Sequence, residues 1–122
     1  MNEVRILASI RHPNVIGYKE AFLQESEQCL CIVMEYASDG DVQQKIMDHS
    51  KNKTHFEEED IWRIFIQMTR GLKALHKLRI LHRDMKSANI FLHKDTQGVY
   101  TVKLGDLNVS KVAKNAAGLL YT

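Results

Sequence analysis

Nine consecutive residues, Leu81-His82-Arg83-Asp84-Met85-Lys86-Ser87-Ala88-Asn89, constrain this chain more than any other stretch. They set a carboxylate, an ammonium and a carboxamide at offsets 0, +2 and +5. Ile80 and Leu81 lie at one end, and Ile90, Phe91 and Leu92 at the other. Short apolar runs of this kind read as buried strands, so the polar residues between them sit on a loop held at both ends. Such a loop can aim three different polar groups at one point. Phosphoryl transfer suits that set. A carboxylate orients an attacking hydroxyl and accepts its proton, an ammonium offsets charge on a transferring phosphate, and an amide oxygen is a neutral ligand for a hard cation such as magnesium. Leu104-Gly105-Asp106 offers a second metal ligand downstream. Taken singly, each residue reads more simply as a solvated surface group; the ordered set does not.

His82-Arg83-Asp84 with Lys86 and Asn89 resembles the catalytic loop of protein kinases, and Asp106-Leu107-Asn108 stands where those enzymes carry Asp-Phe-Gly. The resemblance implies Asp84 as catalytic base, Lys86 as a γ-phosphate contact, and Asn89 and Asp106 as magnesium ligands, with ATP and Mg2+ as cofactors. Lysine two residues after the aspartate is the serine/threonine kinase pattern. Arg83 would bind a phosphate on the activation segment; Ser110 lies there without being marked as its site. Together with Ile90-Phe91-Leu92 and Lys103-Leu104-Gly105-Asp106, the loop most resembles the NIMA-related serine/threonine kinases.

The rest of the chain follows in order. Val4, Ile6, Leu7 and Ile10 have helical spacing, ended by His12-Pro13-Asn14. Val15 to Leu23 and Cys29 to Tyr36 read as two strands around a polar turn, the second apolar enough to be covered on both faces, with Cys29 and Cys31 as small buried residues. Asp41 to about Asp48 reads as a short helix with Val42, Ile46 and Met47 inward, and His49 to Thr54 as a polar linker. Phe56 to about Leu78 is the clearest helix, with Ile61, Ile64, Phe65, Met68, Leu72 and Leu75 on one face and acidic residues in its first turn. His76 reads as a packed helix histidine. Ile90-Phe91-Leu92 and Val99 to Leu104 form a hairpin, and 107–122 is a small, polar-mixed tail consistent with the activation segment.

By resemblance, Glu3 matches the helix-C glutamate that holds the ATP-contacting lysine. Backbone groups near Glu35 and Ala37 would bond the adenine edge, Met34 would be the gatekeeper, Phe91 the floor under adenine, and Asp41 a ribose or substrate contact. The implied fold is α+β, protein-kinase-like and truncated. It runs from the end of the family's helix C through strands 4 and 5, hinge, helices D and E, catalytic loop and strands 7 and 8 into the activation segment. Residues 1–34 would be a remnant of the N-terminal lobe, 35–40 the hinge and 41–122 the first part of the C-terminal lobe.

With 17 basic and 15 acidic residues in 122, a formal charge of +2 carries no strong field toward nucleic acid or membrane. No apolar run approaches the ~20 residues of a membrane span, and no signal peptide is visible. The expected setting is intracellular and cytoplasmic, the expected partners ATP and a protein bearing serine or threonine. The glycine-rich loop and the lysine-bearing strand of the family are absent from this sequence, so the isolated chain is expected to lack turnover. Three readings stay open on the sequence: a kinase segment, a pseudokinase or interaction module, and an inactive fragment.

Overall fold

A computed structural model of the chain describes residues 8–105 and 111–112. The elements are β1 (Tyr18–Gln24), β2 (Cys29–Met34), α1 (Val42–Asn52), α2 (Glu58–Lys77), β3 (Ile80–Leu81), a 3-10 turn (Ser87–Asn89), β4 (Ile90–Lys94), β5 (Tyr100–Leu104) and β6 (Lys111–Val112). The strands pair as three antiparallel ribbons, β1 with β2, β3 with β6, and β4 with β5.

The core lies where α2 meets the β4–β5 hairpin. Leu75, Ile80, Leu92, Val102 and Leu104 are fully buried there, with Ile64, Met68 and Leu72 packed against them. Gly71 sits at the centre of that contact. A Cβ on it would lie 2.5 Å from the Asn14 carbonyl oxygen and 3.2 Å from the Leu104 side chain, so only glycine lets helix and hairpin approach this closely. The apolar stripe of α2 is therefore centred on Ile64, Met68, Gly71 and Leu75. Ile61 and Phe65, expected on the buried face, fall on its flank and stay half exposed. His76, expected to be packed, is exposed in the last turn.

The segment before β1 departs from a simple strand. Val15 bridges Leu104 in parallel, Ile16 N–H donates to Leu104 O and Leu104 N–H to Asn14 O. Residues 14–16 thus add an edge to β5, and β1 begins only at Tyr18 rather than Val15. Asn14 is buried; its amide donates to Val102 O at 2.9 Å and to Gln67 Oε1 at 3.0 Å. Gln67 in turn accepts from Val102 N and donates to Tyr100 O, so α2 reads the edge of β5 with both ends of one amide.

Two further expectations are corrected. β2 is not covered on both faces: Leu30, Val33 and Met34 are exposed, Cys29 is exposed and Cys31 half-buried. The β1–β2 ribbon has two strands, and among the described residues only Ile32 reaches the core from β2. α1 also runs on through the expected linker to Asn52. The Asp41 carboxylate caps its start by accepting from Gln44 N at 2.8 Å. Lys53, at φ 54°, closes its end with N–H bonds to His49 and Ser50 carbonyls. Val42 packs on the core, but Ile46 and Met47 face solvent. Among the described residues no helix is long and apolar enough to cross a membrane.

Candidate active site

β3 delivers the chain into a loop at His82, and the 3-10 turn Ser87–Asn89 hands it on to β4. Arg83, exposed and at φ 70°, makes the bend that turns the backbone back toward Asn89. His82 is buried, and both ring nitrogens are used. Nδ1 accepts from Asp84 N–H at 3.1 Å, so Nε2 carries the hydrogen and donates to Gly105 O at 2.7 Å. Gly105 N–H donates to Asn89 O at 3.0 Å. Loop, turn and the end of β5 are locked into one unit.

Within that unit the three expected residues come together. Asn89, 5% exposed, donates its amide N–H groups to Asp84 O at 2.9 Å and to Asp84 Oδ2 at 3.0 Å. Lys86 Nζ lies 3.5 Å from the same Oδ2. One carboxylate oxygen is thus held by an amide and an ammonium, and no described side chain bonds Oδ1. No described residue donates to Asn89 Oδ1, which fits the neutral oxygen that a hard cation takes. Among the described residues, no cluster of three His, Cys, Asp or Glu side chains is placed to hold a metal. Asp106, the expected second ligand, lies outside the described residues, as do Glu3, Leu107, Asn108 and Ser110.

Asn89 also lines a cleft of about 600 Å³, shared with Ile16, Met34, Glu35, Tyr36, Ala37, Gly40, Phe91 and Gly105. Its walls are mostly apolar. Gly105 is required here by space, since a Cβ would sit 2.6 Å from Cδ2 of the Phe91 ring. The chain crosses the cleft mouth between β2 and α1. Glu35 N–H is spent on Gly17 O at 2.7 Å, Asp39 N–H on Leu92 O, and Gly40 O accepts from Leu92 N. Among the described residues, nothing bonds the Glu35 carbonyl or either backbone group of Ala37, which leaves free donors and acceptors beside an apolar slot. Met34, Glu35, Ala37 and Phe91 all line this one cleft. Asp41 does not line the cleft: its carboxylate caps α1, and its backbone bridges Phe91.

The sequence reading missed the side-chain role of Glu35. Its Oε1 pairs with Lys103 Nζ at 2.6 Å and its Oε2 accepts from Gly17 N–H, while Lys103 also reaches Pro13 O. Burial works to raise the Glu35 carboxyl pKa, but the Lys103 hydrogen bond, the Gly17 N–H and the charges of Lys103 and Lys19 outweigh it and hold it below the ordinary value. No periodicity or motif marks a pair 68 positions apart. Ile16, Gly40 and Gly105 were missed as well; only the position of Gly105 beside Asp106 pointed to it.

The sequence matches the protein kinase domain model over residues 1–121. Relatives include serine/threonine-protein kinase Nek1 of Mus musculus, 41% identical over 98% of this chain, and Nek3 of the same species, 43% identical over 98%. Nek2 of Mus musculus is 34% identical over the whole chain. The chain spans 9%, 22% and 28% of these relatives' own lengths, respectively. Among solved structures, that of the yeast RNA Pol II CTD kinase CTDK-1 complex superposes with a TM-score of 0.74 at 26% identity, over 93% of this chain and 34% of the other.

Proposed function

The chain belongs to the protein kinase domain family, with that family's α+β fold and NIMA-related serine/threonine kinases among its relatives, and from this we propose that it carries the hinge and catalytic loop of a serine/threonine protein kinase. The reaction moves the γ-phosphoryl group of ATP to a protein serine or threonine hydroxyl. The observation that carries the reading is the joint hold of Asn89 and Lys86 on one oxygen of Asp84.

In this reading an acceptor hydroxyl approaches Asp84 Oδ1, which orients it and takes its proton as the bond to phosphorus forms. Asn89 keeps the carboxylate from rotating, and His82 fixes the backbone beneath it through Asp84 N–H. Lys86, poised between carboxylate and solvent, offsets charge on the transferring group. The adenine ring lies on Phe91 in the apolar slot, its edge on the free backbone groups of Glu35 and Ala37, with Met34 at the rear. Asp41 caps α1 through Oδ1 and stands outside the cleft wall, so it is not assigned a nucleotide contact. Asn89 Oδ1, with Asp106, would hold Mg2+, which when bound neutralises charge between the phosphates. Arg83, exposed beside the loop, is free to meet a phosphate. A cytoplasmic setting and a protein substrate belong to the same proposal.

Two measurements test it. Adenine nucleotide added to the chain shifts the backbone resonances of Glu35 and Ala37 and the ring resonances of Phe91; shifts elsewhere only would remove the cleft from the reading. In the native protein that carries these residues, Asp84→Asn lowers phosphoryl transfer from ATP by at least ~100-fold, the lower range of general-base contributions. Transfer at the unaltered rate would remove Asp84 from the chemistry.

A further inference from the structure

We propose that Ser38 is a phosphoacceptor for an acid-directed protein kinase, and that its phosphate docks on His93 and the Lys94 backbone N–H in place of Asp39. Ser38 is exposed in the turn between β2 and α1. Its nearest charged neighbours in sequence are all acidic, Glu35 before it and Asp39 and Asp41 after it. A serine set among carboxylates suits a modifying enzyme whose substrate groove is cationic.

The hydroxyl is already surrounded by the groups that would receive a phosphate. Ser38 Oγ donates to Asp39 Oδ2 at 3.0 Å and lies 2.8 Å from His93 Nδ1. With the hydroxyl hydrogen directed to the carboxylate, Nδ1 carries its own hydrogen and donates to Oγ. This is not a nucleophilic triad, in which the carboxylate orients the imidazole and the imidazole takes the serine proton. Here the carboxylate bonds the hydroxyl itself, so activation must come from outside. Oγ attacks the γ-phosphorus of ATP held by the modifying kinase. The O–P bond forms as the bond to the β,γ-bridging oxygen breaks, ADP leaves, and the hydroxyl proton passes to that kinase's base.

Asp39 Oδ2 at present accepts from Lys94 N–H at 2.6 Å. That N–H bonds the carboxylate directly, His93 Nδ1–H is joined to it through Ser38 Oγ, and His93 and Lys45 both lie near enough to act on its charge. A phosphoserine brings about −1.5 to −2 charge and three acceptor oxygens to the space the carboxylate fills. It satisfies both donors, and like-charge repulsion expels Asp39. The backbone bonds Asp39 N to Leu92 O at 3.0 Å and Leu92 N to Gly40 O at 2.8 Å stay, so the exchange is local. Tyr36, Ala37 and Gly40 form the adjoining wall of the cleft. Any effect on nucleotide rests on the function proposed above, whereas the docking of the phosphate does not.

The test treats the 122-residue chain with an acid-directed kinase and ATP, with Ser38→Ala as the blank. Mass mapping is expected to find the phosphoryl group on Ser38. The phosphorus resonance of phosphoserine 38 should titrate at lower pH than in the phosphorylated His93→Ala and His93→Gln chains. Absence of phosphate from Ser38, or phosphate there that titrates alike with and without His93, would overturn the proposal. Neither readout depends on the chain binding or turning over ATP.

Discussion

Asn89 is the residue on which the geometry of the loop turns, because its amide hydrogens hold both the carbonyl and the carboxylate of Asp84. Removing that amide leaves two acceptors to find water. Asn89→Ala is expected to destabilise the fold by about 1–2 kcal/mol, read from urea unfolding. Asn89→Asp sets a second carboxylate beside the first, and like charges raise carboxyl pKa values in the folded state. Its instability relative to Asn89→Ala should therefore be greatest at neutral pH and fade as acid protonates one of the pair; a gap independent of pH would show that the two carboxyls do not face one another. Glu35 has the opposite sign. Its folded pKa is depressed by Lys103 and Gly17, so its contribution is complete above the ordinary glutamate value of about 4.3 and is lost as pH falls through the lower folded value. Wild type should exceed Glu35→Gln by at most about 1 kcal/mol at pH 7, since the pair is partly exposed, and the difference should vanish in acid. Equal acid sensitivity in both chains would exclude Glu35 as its source. The Asp84, Lys86 and Asn89 constellation was legible in sequence because its members lie within six positions and their chemistry is specific. The Glu35–Lys103 pair was not, because it is made by folding between distant residues that each look like solvated charges.

At the scale of elements, legibility followed how local the deciding interaction was. The β4–β5 hairpin and α2 could be read from periodicity, since most of the residues that set the pattern, among them Ile64, Met68, Leu72 and Leu75 on α2, pack into the core. The start of β1 could not, because Val15 and Ile16 are claimed by Leu104 across the molecule. The end of α1 was misread because its composition is polar, although a left-handed Lys53 closes it with N–H bonds to the His49 and Ser50 carbonyls, at a steric cost that glycine would not carry. α2 shows how one position sets a packing distance. Alanine is favoured over glycine inside a helix by about 1 kcal/mol, yet a Cβ at Gly71 meets a backbone carbonyl that has no freedom to move aside. Gly71→Ala is accordingly expected to cost about 1–3 kcal/mol net, the range for overpacked contacts. A thermal melt shows the sign at once, and an alanine chain as stable as wild type would mean that α2 can slide outward without loss.

For the molecule as a whole, apolar surface is divided unevenly between core and exterior. The contact of α2 with β4–β5 is closed, while Phe22, Leu23 and Leu30 on the β1–β2 ribbon and Ile61, Trp62, Phe65 and Ile66 on α2 are each between about two-fifths and two-thirds exposed. Four large apolar side chains within two turns of one helix exceed the scattered single residues normal on a soluble monomer, and a two-stranded ribbon has unpaired backbone along both edges. As a free chain the 122 residues should therefore self-associate and bind hydrophobic dyes, increasingly so with salt, which screens the modest net charge but not the apolar contact. Sedimentation over a concentration series checks this, and Trp62 reports locally, because burial of its face in an oligomer shifts its emission to shorter wavelength. Phe65→Glu, on the same face and away from the loop, should move the population toward monomer with little change in the melt. If it leaves the association unchanged while a charge introduced at Leu30 abolishes it, the ribbon edge rather than the helix face is the adhesive surface. A wild-type chain that sediments as a monomer at all concentrations would mean that neither exposed face is adhesive enough to hold a second copy.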